Sequence, residues 1–447
     1  MMGRVSMLFG VLVVHSICIQ GWADIAVVAG YTGYFASINP PYGILAESFT
    51  IGEIEASPIS IPVLPNGQAL FFCVGIDSFT GATVFGGVNY LTGRPIIYRG
   101  SVVSSEVTSI TIPGTGQIDI NAVAMSPDGS AIFGCENITD SEPLIYRLPR
   151  GALEVTLISI PENDGGAINA VAIGPDGTAT LAGITGAGLP LIYRLFPGAT
   201  EATRIRLPVG WTDTGSINSV AVGSNGTAIL GGQDVTSSSA LVWTLSSGSL
   251  SPTIVETPNP GDFGLIKSVA IAPNGTAILC GGIGDIIRYP LIYRLLQGAS
   301  LVSIIANANE NLGQFIAVAI GSDGVAILGG ASETNDQALI CRIGPEDNQA
   351  AAIYLPAPDD VAIYSIAIGA GNIAVLGGIF YGEGDSLPAA YTLSATSFVV
   401  SPVIVPISAP HGEIVNVAVY SCDGLYDIRR IRPYYYLQQD EATNLLN

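Results

Sequence analysis

Ile168-Asn169-Ala170-Val171-Ala172-Ile173-Gly174-Pro175-Asp176-Gly177-Thr178-Ala179-Thr180-Leu181-Ala182-Gly183, closed by Pro190-Leu191-Ile192-Tyr193-Arg194-Leu195, is one of seven edited copies of the same stretch. The turn glycine recurs at Gly81, Gly129, Gly177, Gly226, Gly275, Gly324 and Gly371, in steps of 47 to 49 residues, and a partial eighth copy ends at Gly424. Units of this size that cannot bury their own apolar face must stack on their neighbours, so the period describes one body built from repeated supersecondary units.

Each copy divides into four β-like runs. Run A (168–173) is short and apolar, and Pro175-Asp176-Gly177 then closes a tight hairpin, with proline presetting the turn and glycine supplying positive φ. Run B spans Thr178 to Gly183, run C (191–195) is rich in β-branched and aromatic types, and run D spans Ala202 to Leu207. Glycine pairs in run B (Gly86-Gly87, Gly231-Gly232, Gly281-Gly282, Gly329-Gly330, Gly377-Gly378) suit places where neighbouring sheets approach closely. Four strands per repeat predict an all-β fold, a β-propeller of four-stranded blades. A parallel β-helix would have shorter coils and no fixed hairpin.

Seven A runs begin near Ala69, Ile120, Ile168, Ile217, Ile266, Phe315 and Ile363. An eighth, Ile414 to Val419, has no B to D runs behind it, while Ile25–Gly30, Tyr34–Ile38 and Ser57–Val63 resemble runs B, C and D. The expectation is therefore eight blades, with the N- and C-terminal strands sharing one; seven blades, with the termini as a cap, is the alternative.

Residues 1–23 read as a signal peptide: Arg4, the apolar run Val5–Ile19, and small residues at Gly21 and Ala23. That run is shorter than the roughly 20 residues a membrane span needs. Residues 24–424 form a single propeller domain, and 425–447 are an off-pattern tail carrying Arg429, Arg430, Arg432 and Tyr434-Tyr435-Tyr436. The expected location is exported: periplasm, outer surface or extracellular space.

Asp and Glu number 36 against 15 Lys and Arg, a net charge of −21, which argues against nucleic acid and anionic membranes as partners. Cys73, Cys135, Cys280, Cys341 and Cys422 are odd in number and contain no CxxC pair, and they read as buried small hydrophobes.

The hairpin Val-Ala-Ile-Gly-Pro-Asp-Gly-Thr-Ala (171–179) and its cousins at 123–131, 220–228 and 269–277 resemble the strand-turn-strand signature of NHL-like propellers. They are also similar to the repeats of secreted bacterial surface propellers and autotransporter passengers. That resemblance covers nearly all of residues 24–424 and implies a propeller; passengers continue into a membrane barrel, and no such pattern is found up to Asn447.

Catalytic patterns are scarce. Beyond the signal segment the one histidine is His411, so histidine metal sites and serine-histidine triads find no partners. Paired carboxylates, Asp359-Asp360 and Glu383-Gly384-Asp385, are the remaining route to a hydrolase or lyase. No cofactor is indicated; oxygen ligands admit calcium, although no loop has the spaced Asp-x-Asp-x-Asp-Gly pattern.

In a four-strand meander the B–C and D–A loops share one face, and here they vary in length while the A–B turns repeat. Recognition usually sits on such loops. Trp211, Phe263, Tyr289 and Tyr381 are the candidate apolar anchors, among Asp213, Asp262, Asp285, Asp359 and Asp360. The Ile-Tyr-Arg column (Tyr98, Tyr146, Tyr193, Tyr293; Arg99, Arg147, Arg194, Arg294, Arg342) reads as a packing ladder, each arginine paired with a nearby acid. The column Asn121, Asn169, Asn218, Lys267, Ile316, Tyr364, Val415 mixes amide, base and apolar groups, unlike a convergent acid site. The expected function is a non-enzymatic binding or adhesion scaffold whose acidic loop face takes a protein or a glycan, with the hydrolase or lyase as the alternative.

Overall fold

Short apolar runs broken by left-handed turns form antiparallel meanders in the computed structural model, which describes residues 25–31, 46–50, 57–59 and, with interruptions in the loops, 70–420. Seven four-stranded blades follow in chain order: Leu70–Ile110, Ile118–Ile158, Ala167–Arg204, Gly215–Ile254, Gly264–Ile304, Gly313–Ile353 and Val361–Val403. Blade 6 also takes in a parallel two-residue strand, Ala306–Asn307, from the end of blade 5. The fold is a β-propeller.

Seven is the alternative count, and the expected eighth four-stranded blade is corrected. The chain ends do meet: Ile25–Tyr31 pairs antiparallel with Glu413–Tyr420. Among the described residues, however, this is a two-stranded ribbon, and Ala46–Thr50 with Ser57–Pro58 forms a separate pair. Pro58 has no N–H with which to extend an outer ladder, which limits that strand. Tyr34–Ile38, expected as run C, lies outside the described residues. The ribbon closes the ring between blades 7 and 1, and Ser365 Oγ accepts the Val417 amide at 2.8 Å. The same contact joins Ser219 to Val269 and Ser268 to Val318 between neighbouring blades.

Every A–B pair has a β-bulge near its middle. The extra residue is Phe72, Asn121, Asn169, Asn218, Lys267, Ile316 or Tyr364, so the mixed column of the sequence is the bulge column of the innermost strands. Val415 holds the same place in the terminal ribbon. In blades 2 to 4 the bulged asparagine reaches onward: Asn121, Asn169 and Asn218 donate their amides to the carbonyls of Ile168, Ile217 and Ile266.

The core lies between blades rather than within them. Each buried cluster draws on two neighbours, as when Ile168 and Val171 pack with Ile132 and Ile145 of the preceding blade. Strand B must be thin where the next blade enters. A Cβ on Gly231 would collide with Ile266 Cγ2 of the next blade, whereas one on Gly232 would collide with the Ser216 carbonyl oxygen of its own strand A beside the bulge. Tyr98, Tyr146, Tyr193 and Tyr293 are at most 2% exposed and form the expected packing ladder, with Trp243 in the same column. Burial pushes the Tyr146 hydroxyl up to about 12, with Cys135 adding to the shift.

The arginine hydrogen-bond partners differ from expectation, although the charges of nearby acids, Asp128 and Asp176, do reach Arg147 and Arg194. Arg99 donates to the Ala152 and Pro149 carbonyls, Arg147 to Ala199 and Phe196, and Arg194 to Ser249 and Ser246. Each guanidinium thus clamps the C–D turn of the next blade, its fork of donors meeting two carbonyls three residues apart. At the rim, successive D strands are stitched by parallel bridges, Thr111 to Glu154, Ser159 to Glu201 and Glu256 to Leu301.

One turn position also shifts. Gly81, Gly129, Gly177, Gly226, Gly275 and Gly324 are left-handed as expected, but in blade 7 the left-handed residue is Asn372 (φ 54°), one place after Gly371. Asparagine tolerates this region, and Asn372 Oδ1 accepts both the amide and the hydroxyl of Ser322 across the blade interface. Cys73, Cys135, Cys280 and Cys341 are buried and make no disulfide, and burial pushes the Cys341 thiol up to about 12. Cys422, Gly424, His411 and the 425–447 tail lie outside the described residues.

Candidate functional site

Two faces flank the ring, and the B–C and D–A loops share one of them. Their sequences vary, yet the backbone laces them in a regular way. Gly93, Ser141, Gly188, Ser238 and Arg288, each in a B–C loop, offer their carbonyls to the amides of Ile118, Gly166, Gly215, Gly264 and Gly313, which begin the next blade. The first four of these residues are left-handed, with φ between 53° and 78°. A second set ties the D–A loop to strand B of the same blade: Ile138 to Gln117, Val235 to Thr214, Gly284 to Phe263, Glu333 to Leu312 and Tyr381 to Asp360.

The proposed anchors separate into two kinds on this frame. Trp211 is not an open anchor: its ring packs edge-on against buried Trp243 at 5.0 Å, and its Nε1 donates to the Asp213 carbonyl at 3.0 Å. Tyr381 is half-buried and shares a 2.7 Å hydroxyl hydrogen bond with Tyr364 of the bulge column. Phe263 and Tyr289 are the open pair, 46% and 56% exposed. They belong to one corner of blade 5, because Gly264, next to Phe263, pairs with Ile283, and Ile283 pairs with Tyr289. Phe263 is held at φ 41°, a costly conformation for a bulky residue. Asp213 is partly buried and Asp360 is exposed. Asp262, Asp285, Asp359, Glu383 and Asp385 lie outside the described residues.

Sequence reading missed two features here. Arg288, beside Tyr289, donates to Gln314 Oε1 at 3.0 Å, and its amide donates to Glu333 Oε2, so a basic side chain is anchored next to the aromatic corner. Asp119 and Glu136 face each other across strands A and B of blade 2. Burial, reinforced by the Asp119 charge, raises the Glu136 carboxyl above the usual carboxylate range. Counting outward from the Ser126–Ser130 turn misses this pairing, since the bulge at Asn121 shifts the register by one.

A further ionic feature fixes one loop. Arg204 meets Asp164 at 2.9 Å, donates to the Glu162 carbonyl and stacks over Tyr193 at 5.4 Å. Among the described residues, no group of three or more His, Cys, Asp or Glu converges as a metal site, and no helix is long and apolar enough to cross a membrane.

No family model and no curated protein matches the chain. Solved structures do resemble it. The Dos1 propeller aligns with a TM-score of 0.54 at 11% identity, over 82% of this chain and 93% of that one. Sqt1 of Chaetomium thermophilum aligns at 0.53 and 13% identity, over 82% and 95%. A prolyl endopeptidase aligns at 0.51 and 11% identity over 79% of this chain, which spans 55% of the endopeptidase. At such identities the likeness is one of fold.

Proposed function

We propose that this chain is an exported, non-enzymatic propeller that binds a protein or glycan on its loop face, centred on Phe263 and Tyr289 of blade 5. The observation that carries the reading is the exposed Phe263 in a left-handed backbone beside the exposed Tyr289. Large apolar side chains that are open to water and held in strained geometry mark recognition better than fold maintenance. Arg288, like Tyr289, is a residue type enriched at binding hot spots. Export rests on residues 1–23.

Two substitutions test it on the full chain against a glycan array and against purified candidate surface proteins. Tyr289→Ala should lower affinity about tenfold with Tm unchanged, as an exposed anchor would. Phe263→Gly should abolish binding while raising stability by about 1 kcal/mol, because glycine relieves the positive φ. Unchanged binding in both variants overturns the site. A calcium-dependent affinity would bring Asp262 and Asp285, which flank the corner in sequence, into the site as ligands.

A hydrolase reading has one observation of its own, the Asp119 and Glu136 pair, whose raised carboxyl suits a general acid. Loss of a hydrolytic activity in Glu136→Gln but not in Tyr289→Ala would replace the binding reading.

A further inference from the structure

Blades 4 and 5 face each other along a seam that opens at the loop face, and strand register fixes which side chains line it. Cross-strand partners share one face of a sheet. In blade 5, Gly264, Ile283 and Tyr289 are such partners across strands A, B and C, and in blade 4 Gln233 and Ala240 are partners across B and C. A Cβ on Gly264 would lie 2.9 Å from the Ala240 amide nitrogen and 3.0 Å from Ala240 Cβ, so these two faces look at one another. Tyr289 therefore belongs to the wall turned toward blade 4, and Gln233 to the wall turned toward blade 5. Phe263, one residue before Gly264, stands at the head of the seam, where the Gly264 amide donates to the Ser238 carbonyl at 3.1 Å.

This seam offers a ligand side chains rather than main chain. The Gln233 side-chain amide and the Ser238 and Tyr289 hydroxyls make no hydrogen bond among the described residues, and all three residues are at least partly exposed. The main chain beside them is engaged: the Ser238 carbonyl accepts from Gly264, the Phe263 carbonyl accepts from Gly284 at 3.2 Å, and the Val235 amide donates to Thr214. An extended peptide that adds to a sheet needs free backbone partners, which the described main chain here does not present. A neutral sugar needs none. Its CH faces pack on exposed aromatic rings, and two neighbouring hydroxyls match the donor and the acceptor of one amide. Gln233, Ser238, Phe263 and Tyr289 carry no charge, while Asp262 and Asp285 adjoin the corner in sequence within a chain of net charge −21, which disfavours acidic sugars. Two strand steps separate Gly264 from Tyr289, about 10 Å, which is wider than a single sugar ring.

We propose that the seam binds a neutral oligosaccharide, stacked on Phe263 and Tyr289 and held through its hydroxyls by Gln233 and Ser238. The proposal rests on the loop-face reading above and narrows its ligand from a protein or glycan to an uncharged sugar chain.

The test is binding of the full chain to an array of neutral oligosaccharides, acidic oligosaccharides and extended peptides, followed by titration of the retained member against variants. Neutral oligosaccharides should be retained, with affinity rising about tenfold from the disaccharide to the tetrasaccharide of one sugar as the chain comes to span both aromatic rings. Gln233→Ala should weaken that binding about tenfold with Tm unchanged. The fold accepts this change, since Ala331 holds the equivalent place in blade 6. Retention of acidic sugars or peptides instead, or of nothing, overturns the proposal. So does a neutral sugar whose affinity falls in Tyr289→Ala but not in Gln233→Ala. Wherever Tyr289→Ala still weakens the retained ligand, the loop-face site itself stands and only the sugar assignment fails; a ligand indifferent to both variants overturns the two together.

Discussion

The two faces of the ring are joined by different parts of the chain. On the turn face side chains make the joints: arginines from one blade grip the C–D turn of the next, and Asn372 reaches across to Ser322. On the loop face the main chain does most of this work, through B–C carbonyls and the first amides of the next blade, with Arg288 to Gln314 and Glu333 as the side-chain exception. A side-chain joint requires one residue type, so the turn-face sequence repeats. A main-chain joint requires only a tolerable φ, so Gly, Ser and Arg serve equally and the loop sequences diverge. Variation on the loop face therefore marks released side chains on an ordered backbone, which is the condition a recognition surface needs.

The largest expected effect lies on the turn face. Arg194→Met removes two charge-assisted hydrogen bonds to the Ser249 and Ser246 carbonyls and, with them, the buried guanidinium that ties blade 3 to the turn of blade 4. It should destabilise the protein by about 3 kcal/mol in urea unfolding. Tyr289→Ala on the loop face should change stability by less than about 0.5 kcal/mol. Comparable losses at the two positions would break the distinction between the faces.

What the sequence revealed follows the same line. The hairpin at Val171–Ala179, the Ile-Tyr-Arg ladder and the pairing of Ile25–Gly30 with Ile414–Val419 were legible, because one residue type recurs wherever a side chain or a tight turn is required. Asn372 was misplaced by one because Gly371 beside it satisfied the same pattern. The arginine partners were invisible, since carbonyls carry no residue identity. Trp211 looked like a surface anchor because nothing in sequence places it against Trp243, 32 residues away. The lacing through Gly93, Ser141, Gly188 and Ser238 was hidden by loops of unequal length, and the Asp119 and Glu136 pair by the bulge between them and the turn.

Blade 2 allows the faces to be compared electrostatically within one sheet. At the turn, burial alone would raise Asp128, but hydrogen bonds from Ser130 and Ser126 and the Arg147 charge outweigh it and lower the carboxyl. At the loop end, burial and Asp119 raise Glu136. The linkage signs are opposite. Asp128 contributes stability above its unfolded pKa of about 3.9 that is lost as pH falls through its lower folded value. Glu136 binds its proton more tightly in the folded state, so it costs stability once pH rises through the window above about 4.3. Glu136→Gln should accordingly stabilise by about 0.5 kcal/mol at pH 7, discounted for its half-exposed position, and by nothing at pH 4. A destabilising Glu136→Gln at pH 7 would mean that the loop face depends on side-chain joints after all.

The finest separation of the faces comes from exchanging residues at the lacing position itself. Ser238 (φ 55°) and Gly188 (φ 78°) occupy equivalent places in blades 4 and 3, and each offers only its carbonyl to the next blade. The Ser238 hydroxyl makes no hydrogen bond among the described residues, so Ser238→Gly removes no joint. Relief of the left-handed strain is partly offset by glycine's extra freedom in the unfolded chain, leaving a gain of about 0.3 kcal/mol. Gly188→Ser runs the exchange backwards. A Cβ there meets nothing nearer than Thr214 Cγ2 at 3.8 Å, so packing contributes little and the loss is the backbone strain less the same unfolded-chain offset, about 0.5 kcal/mol. Opposite signs of similar size, read from urea midpoints at constant slope, are what a joint made only of main chain demands. A loss in both directions would show that the side chain at this position takes part, and the loop face would then be built like the turn face.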